Sequence, residues 1–152
     1  MPAKMHTVLT ELFSTLCVKP FQMKHDRLLT VTSLLSIVLL SLHLVDDIVR
    51  GISPPGTDNL IAILILLVWL CGTLLLGGRL VGYVVILLGA IFAAGIPVIH
   101  MTGRSYPEIA VSSGGFFFLW TLLALGVTGG FSLILAARGL WSVLRKRVEA
   151  DE

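Results

Sequence analysis

Long apolar runs separated by short polar breaks dominate the chain. A bilayer core of about 30 Å is crossed by about 20 mostly apolar residues in a helix. Four runs meet that length: 28–49, 59–78, 80–101 and 115–137, the last inside a longer apolar stretch that starts at Ile109. The first is apolar until Asp46 and Asp47, near its end. The second has no charged residue, and the third carries the ionisable His100 next to its end. Barrel strands would alternate polar and apolar residues, and these runs do not. The pattern predicts an all-α, polytopic four-helix transmembrane bundle.

The residues ahead of the first run follow another rhythm. Met5, Val8, Leu9, Leu12, Phe13, Leu16 and Cys17 recur at the i, i+3, i+4 spacing of one helical face, with Thr7, Thr10, Glu11, Ser14 and Thr15 opposite. Pro20 is expected to stop this helix. At that length it cannot span. Residues 1–20 therefore read as an amphipathic helix on the cytoplasmic membrane surface, its apolar face in the lipid boundary. Docking onto a partner or the underside of the bundle is the alternative. The first span is not read as a secretory signal. Its apolar run is too long, and Asp46 and Asp47 stand where a small-residue cleavage site would be. Residues 21–144 form the four-span bundle and 145–152 a charged cytoplasmic tail.

Composition narrows the class. Of 152 residues, 56% are hydrophobic and 13% charged, and mean hydropathy is +0.97. Soluble domains carry roughly 25% charged residues, so a soluble enzyme is excluded. No loop is long enough to hold a soluble catalytic domain. A net charge of +2 gives no footprint for nucleic acid. Cys17 and Cys71 lie too far apart in the span pattern to pair, and no Cys/His group has zinc-site spacing.

The placement of the scarce charge sets an orientation. Lys4, Lys19, Lys24, Arg27, Arg79, Arg138, Arg145, Lys146 and Arg147 fall on one side of the spans, and only Arg50 and Arg104 on the other. The positive-inside rule then puts both termini in the cytoplasm of a multi-pass protein of the inner or plasma membrane. Gly77, Gly78 and Arg79 leave room only for a tight hairpin between spans two and three. Trp120 and Trp141 sit near span ends as interfacial anchors. Trp69, mid-span, is expected to pack on a neighbouring helix or on lipid.

Candidate chemistry lies on two helical faces. In the first span Thr32, Ser36, His43, Asp47 and Arg50 cluster on one side, with Asp46 close by. Lipid cannot satisfy such groups, so this stripe faces the bundle or a wet cavity. In the third span Gly82, Gly89, Ala93, Ile96 and His100 share a face, and Pro97 is expected to bend the helix near its end. Span four offers Gly126 and Gly130 at the GxxxG spacing of close helix contact.

If both faces point inward, His43 and His100 meet with Asp46 and Asp47 near. These four are the candidate metal ligands: imidazole and carboxylate suit a transition metal such as zinc, copper or iron. The same group could relay protons in a small transporter, or two histidines could ligate a haem, the weaker cofactor reading. Shared ligation requires the imidazoles within roughly 8 Å. A plainer reading pairs Asp46 with Arg50, bonds His43 to backbone near Ser36 or to an aspartate, and makes His100 a helix-end group. With no enzyme motif in the chain, the leading expectation is a structural or accessory subunit. It would assemble in the lipid bilayer with itself or a larger membrane complex through the glycine faces. A metal, cofactor or proton-coupled protein is the alternative.

Overall fold

A computed structural model describes residues 2–53, 56–102 and 113–151, with side chains described for 25–53, 56–102 and 113–150. Four helices follow one another: α1 (Pro2–Val49), α2 (Thr57–Leu75), α3 (Leu80–Thr102) and α4 (Gly115–Asp151). No strand occurs among the described residues. Within these helices His25–Val49, Thr57–Leu75, Leu80–Thr102 and Gly115–Ala150 are long and apolar enough to cross a membrane.

One helix end differs from expectation. Pro20 does not end a separate helix, because α1 runs through it. Proline removes one backbone donor, and helical residues continue on both sides of that single loss. The amphipathic face expected at residues 5–17 belongs to side chains outside the described residues, as do Pro54, Pro55 and 103–112 of the connecting loops. The charged end of the chain, expected as a tail, continues α4 as far as Asp151. Arg145 Nε donates to Glu149 Oε1 at 2.9 Å, one turn on, which favours helix there.

The first apolar run is built inside out for a water-soluble helix. Leu29, Ser33, Ser36, Leu40, His43 and Asp47 follow steps of four and three and are all buried. Leu28, Val31, Leu35, Val38, Leu42, Val45 and Val49 are exposed. A polar interior under an aliphatic exterior suits a hydrocarbon solvent, and Ser33 and Ser36 find hydrogen-bond partners inside the bundle.

Helix α4 packs along α3 and α1, while α2 leans on α3 and touches α1 less. The core joins Leu29, Ile37 and Leu40 of α1, Trp69 of α2, Tyr83, Ile86, Ala93 and Ile96 of α3, and Phe118, Leu122, Leu125 and Ala136 of α4. Trp69 settles on a helix, not on lipid. Its Nε1–H donates to Ser33 Oγ (2.9 Å), and Thr73 Oγ1 donates to the Trp69 carbonyl (2.9 Å). Thr73 has spent its one proton there. Ser33 must therefore donate to Thr73 Oγ1 across their 2.8 Å contact. The trio ties α1 to α2 with every donor used.

The glycine faces are consumed inside the chain. A Cβ on Gly89 would run into the Trp69 ring, and one on Gly129 would meet Ala93 Cβ and Ala94 N, each at 2.9 Å. Gly126 lies under Pro97, but Gly130 has nothing within 4 Å. The working pair in α4 is thus Gly126 with Gly129, not the expected Gly126 with Gly130. Gly78, at φ +75°, makes the tight turn between α2 and α3. Helix α3 continues through Gly95 and Pro97, so the broken helix that a transport path would favour is not formed there.

Candidate metal centre

The C-terminal ends of α1 and α3 and the N-terminal ends of α2 and α4 meet at one end of the bundle. The stop of α1 is set locally. Gly51 adopts φ +72°. The Gly51 N–H donates to the Ile48 carbonyl (3.0 Å) and the Ile52 N–H to the Asp47 carbonyl (2.9 Å). This is the Schellman pattern that ends helices at a left-handed glycine. It fixes the backbone of Asp47, one turn beyond His43.

Helix α3 brings His100 to the same level in its last turn. The His43 and His100 rings meet edge to face, with centroids 4.8 Å apart and planes at 89°. Asp47 Oδ2 lies 3.7 Å from Nε2 of His43 and 3.7 Å from Nε2 of His100. One ligand-type atom from each of the three residues falls within 4.8 Å of the others. Bonds of about 2 Å place the donor atoms of one ion roughly 3–3.4 Å apart. The observed spacings reach that range through small side-chain rotations.

Burial makes the cluster unusual. His43 is 2% exposed, and neither of its ring nitrogens has a hydrogen-bond partner among the described residues. Asp47 Oδ1 is buried and unpartnered as well. Of the two plainer pairings expected for His43, the bond to backbone near Ser36 is not made, since Ser36 Oγ donates to the Thr32 carbonyl (2.9 Å), while the aspartate alternative is met only as an ion-pair contact, Asp47 Oδ2 at 3.7 Å. A buried polar group without a partner costs on the order of 1–3 kcal/mol. His43 and Asp47, with the half-buried His100 beside them, form a donor set of two nitrogens and a carboxylate.

The fourth candidate goes elsewhere. Asp46 accepts from Arg50 Nε at 2.7 Å, the i, i+4 pair with the acid first. Arg50 also reaches the Gly114 carbonyl with Nη2 at 2.9 Å. It thereby braces the start of α4, where Gly114 takes φ +80°. The structure brings His43, Asp47 and His100 together and leaves Asp46 in this brace. A helical wheel places 46 and 47 only about 100° apart, so the sequence alone does not separate their roles.

Phe118 is the residue that the sequence did not single out. In the run Phe116, Phe117 and Phe118, the first two are exposed and the third is buried. Its ring packs 5.1 Å from His43 and 5.8 Å from His100, closing the cluster on the α4 side. Three adjacent phenylalanines point three ways on a helix, and nothing in the run marks which one turns inward.

A cavity of about 240 Å³ adjoins the cluster between α1, α2 and α3. His43, Asp47 and His100 line one end, and Leu40, Leu66, Phe92 and Ile96 are among its apolar walls. The haem reading does not fit this geometry. The edge-to-face contact of the two imidazoles leaves no slit for a porphyrin between them. Comparison with known proteins adds no relative: no family model, no curated protein and no solved structure matches the chain.

Proposed function

We propose that this is a small membrane protein that binds one divalent transition-metal ion through His43, Asp47 and His100. The observation that carries the reading is the buried His43 ring, both nitrogens unpartnered, facing Asp47 and His100 within 4.8 Å. Two imidazoles and one carboxylate suit zinc or ferrous iron, and three protein ligands leave coordination positions open. The accessory-subunit reading loses its main support, because the glycine faces meant for a partner pack against Trp69, Ala93 and Pro97 of the same chain. By the distribution of Lys and Arg, the site lies at the non-cytoplasmic end of the bundle.

The test is the metal content of the full chain purified in detergent, by elemental analysis after growth with zinc, iron and manganese. The expected result is one ion per chain, lost in His43→Ala and in His100→Ala. Metal-free protein that gains no thermal stability from added zinc or ferrous ion overturns the proposal. In that case the His/Asp cluster is left to proton handling.

A further inference from the structure

The cavity beside the cluster is shaped for more than an ion. It runs along α1 from Leu40 to Asp47, seven residues or about 10 Å of helix rise. The three ligand-type residues stand at one end. From there the walls are Leu40, Leu44, Ala62, Leu66, Ile96 and other apolar side chains. Its rim includes Phe92 and Ile99, which are 43% and 67% exposed on the aliphatic outer surface of the bundle. The mouth therefore reaches the face that a bilayer would cover.

Charge completes the argument. A divalent ion held by two neutral imidazoles and one carboxylate keeps a net charge of +1. The nearest other charges, Asp46 and Arg50, neutralise each other at 2.7 Å. A residual charge among apolar walls is costly unless it is balanced. An anionic oxygen donor on an open coordination position balances it, and an aliphatic chain behind that donor fills the walls.

Building on the metal reading, we propose that the site takes a membrane-soluble ligand with an apolar chain and one anionic oxygen head, of the fatty-carboxylate type. The head binds the ion, and the chain lies in the cavity between α1, α2 and α3 after entering past Phe92 and Ile99.

The experiment uses the full chain in detergent, loaded with cobalt(II), whose visible bands report coordination. The probes are octanohydroxamic and acetohydroxamic acid, which lose a proton to bind a metal through the same anionic oxygen head and differ in chain. The octano probe is expected to bind about tenfold tighter or more, as chain methylenes enter the cavity. Ala62→Trp and, separately, Leu66→Phe fill the cavity from α2 without touching a ligand residue. Each is expected to keep the cobalt spectrum and lose most of the preference. Ile63→Trp, on the exposed side of α2, keeps the preference and thereby controls for partition into micelles. Equal binding of the two probes, or a preference unchanged in both cavity-filling variants, overturns the ligand proposal and leaves the metal reading standing. Failure of the wild-type chain to bind cobalt overturns the metal reading, and the ligand proposal with it.

Discussion

His43 and His100 lie 57 positions apart in the chain, on different helices, yet their rings meet edge to face with centroids 4.8 Å apart. Asp47 Oδ2 sits 3.7 Å from Nε2 of each. Asp46, next in sequence, points to Arg50. Replacing a direct ligand should therefore differ sharply from replacing its neighbour. His43→Ala, His100→Ala and Asp47→Asn are each expected to weaken metal binding by about a hundredfold or more, since even residues that only support ligands are worth about 10–100-fold. Asp46→Asn should stay within the range of a supporting residue. Metal titration of the four variants, read by isothermal calorimetry, checks this ordering. Equal losses at Asp46 and Asp47 would contradict it.

Two adjacent glycines of α4 make a second comparison. Gly129 faces Ala93 and the α3 backbone with no room for a methyl group, while Gly130 faces open space. Gly129→Ala should destabilise the bundle by about 1–3 kcal/mol, the usual cost of overpacking. Gly130→Ala should change stability by about 0.5 kcal/mol or less, with helix propensity favouring the alanine. Thermal unfolding in one detergent, followed by circular dichroism, compares the two.

The bond from Trp69 Nε1 to Ser33 Oγ carries its own prediction. Trp69→Phe removes that donor and some ring volume, and Ser33→Ala removes the acceptor and breaks the link to Thr73. The coupling between them in a double-mutant cycle should be about 0.5–1.5 kcal/mol, within the range for hydrogen bonds between membrane helices. Strict additivity of the two substitutions would rule the bond out as a stabilising contact.

Orientation is tested from the two ends of α2 and α3. Asp58 and Arg79 are both exposed, one at the metal-centre end and one in the turn at the other end. In a background with Cys17→Ser and Cys71→Ser, Asp58→Cys should react with a membrane-impermeant maleimide added to whole cells. Arg79→Cys should react only after the membrane is permeabilised. The reverse pattern would invert the orientation drawn from Lys and Arg.

What the sequence by itself determined here is the pattern of four apolar spans. Four uncharged or nearly uncharged runs leave helices as the means of satisfying backbone groups in hydrocarbon, and four such helices are present. The buried side of α1 was legible too, because Ser36, His43 and Asp47 share one face at helical spacing. The sequence placed His43 and His100 toward the same end of the bundle, but at different depths, His43 six residues before the end of its run and His100 one. The other assignments needed the third dimension. Whether Asp46 or Asp47 joins the histidines depends on a helix rotation set by the packing of α1 on α4 and by the turn at Gly51. Which of Phe116, Phe117 and Phe118 closes the cluster depends on the rotation of α4. Whether Gly82, Gly89 and Gly129 serve a partner or the chain itself depends on where Trp69, Ala93 and Leu76 come to rest. Periodicity fixes which residues share a face; only the packing of one face against another decides what each face touches.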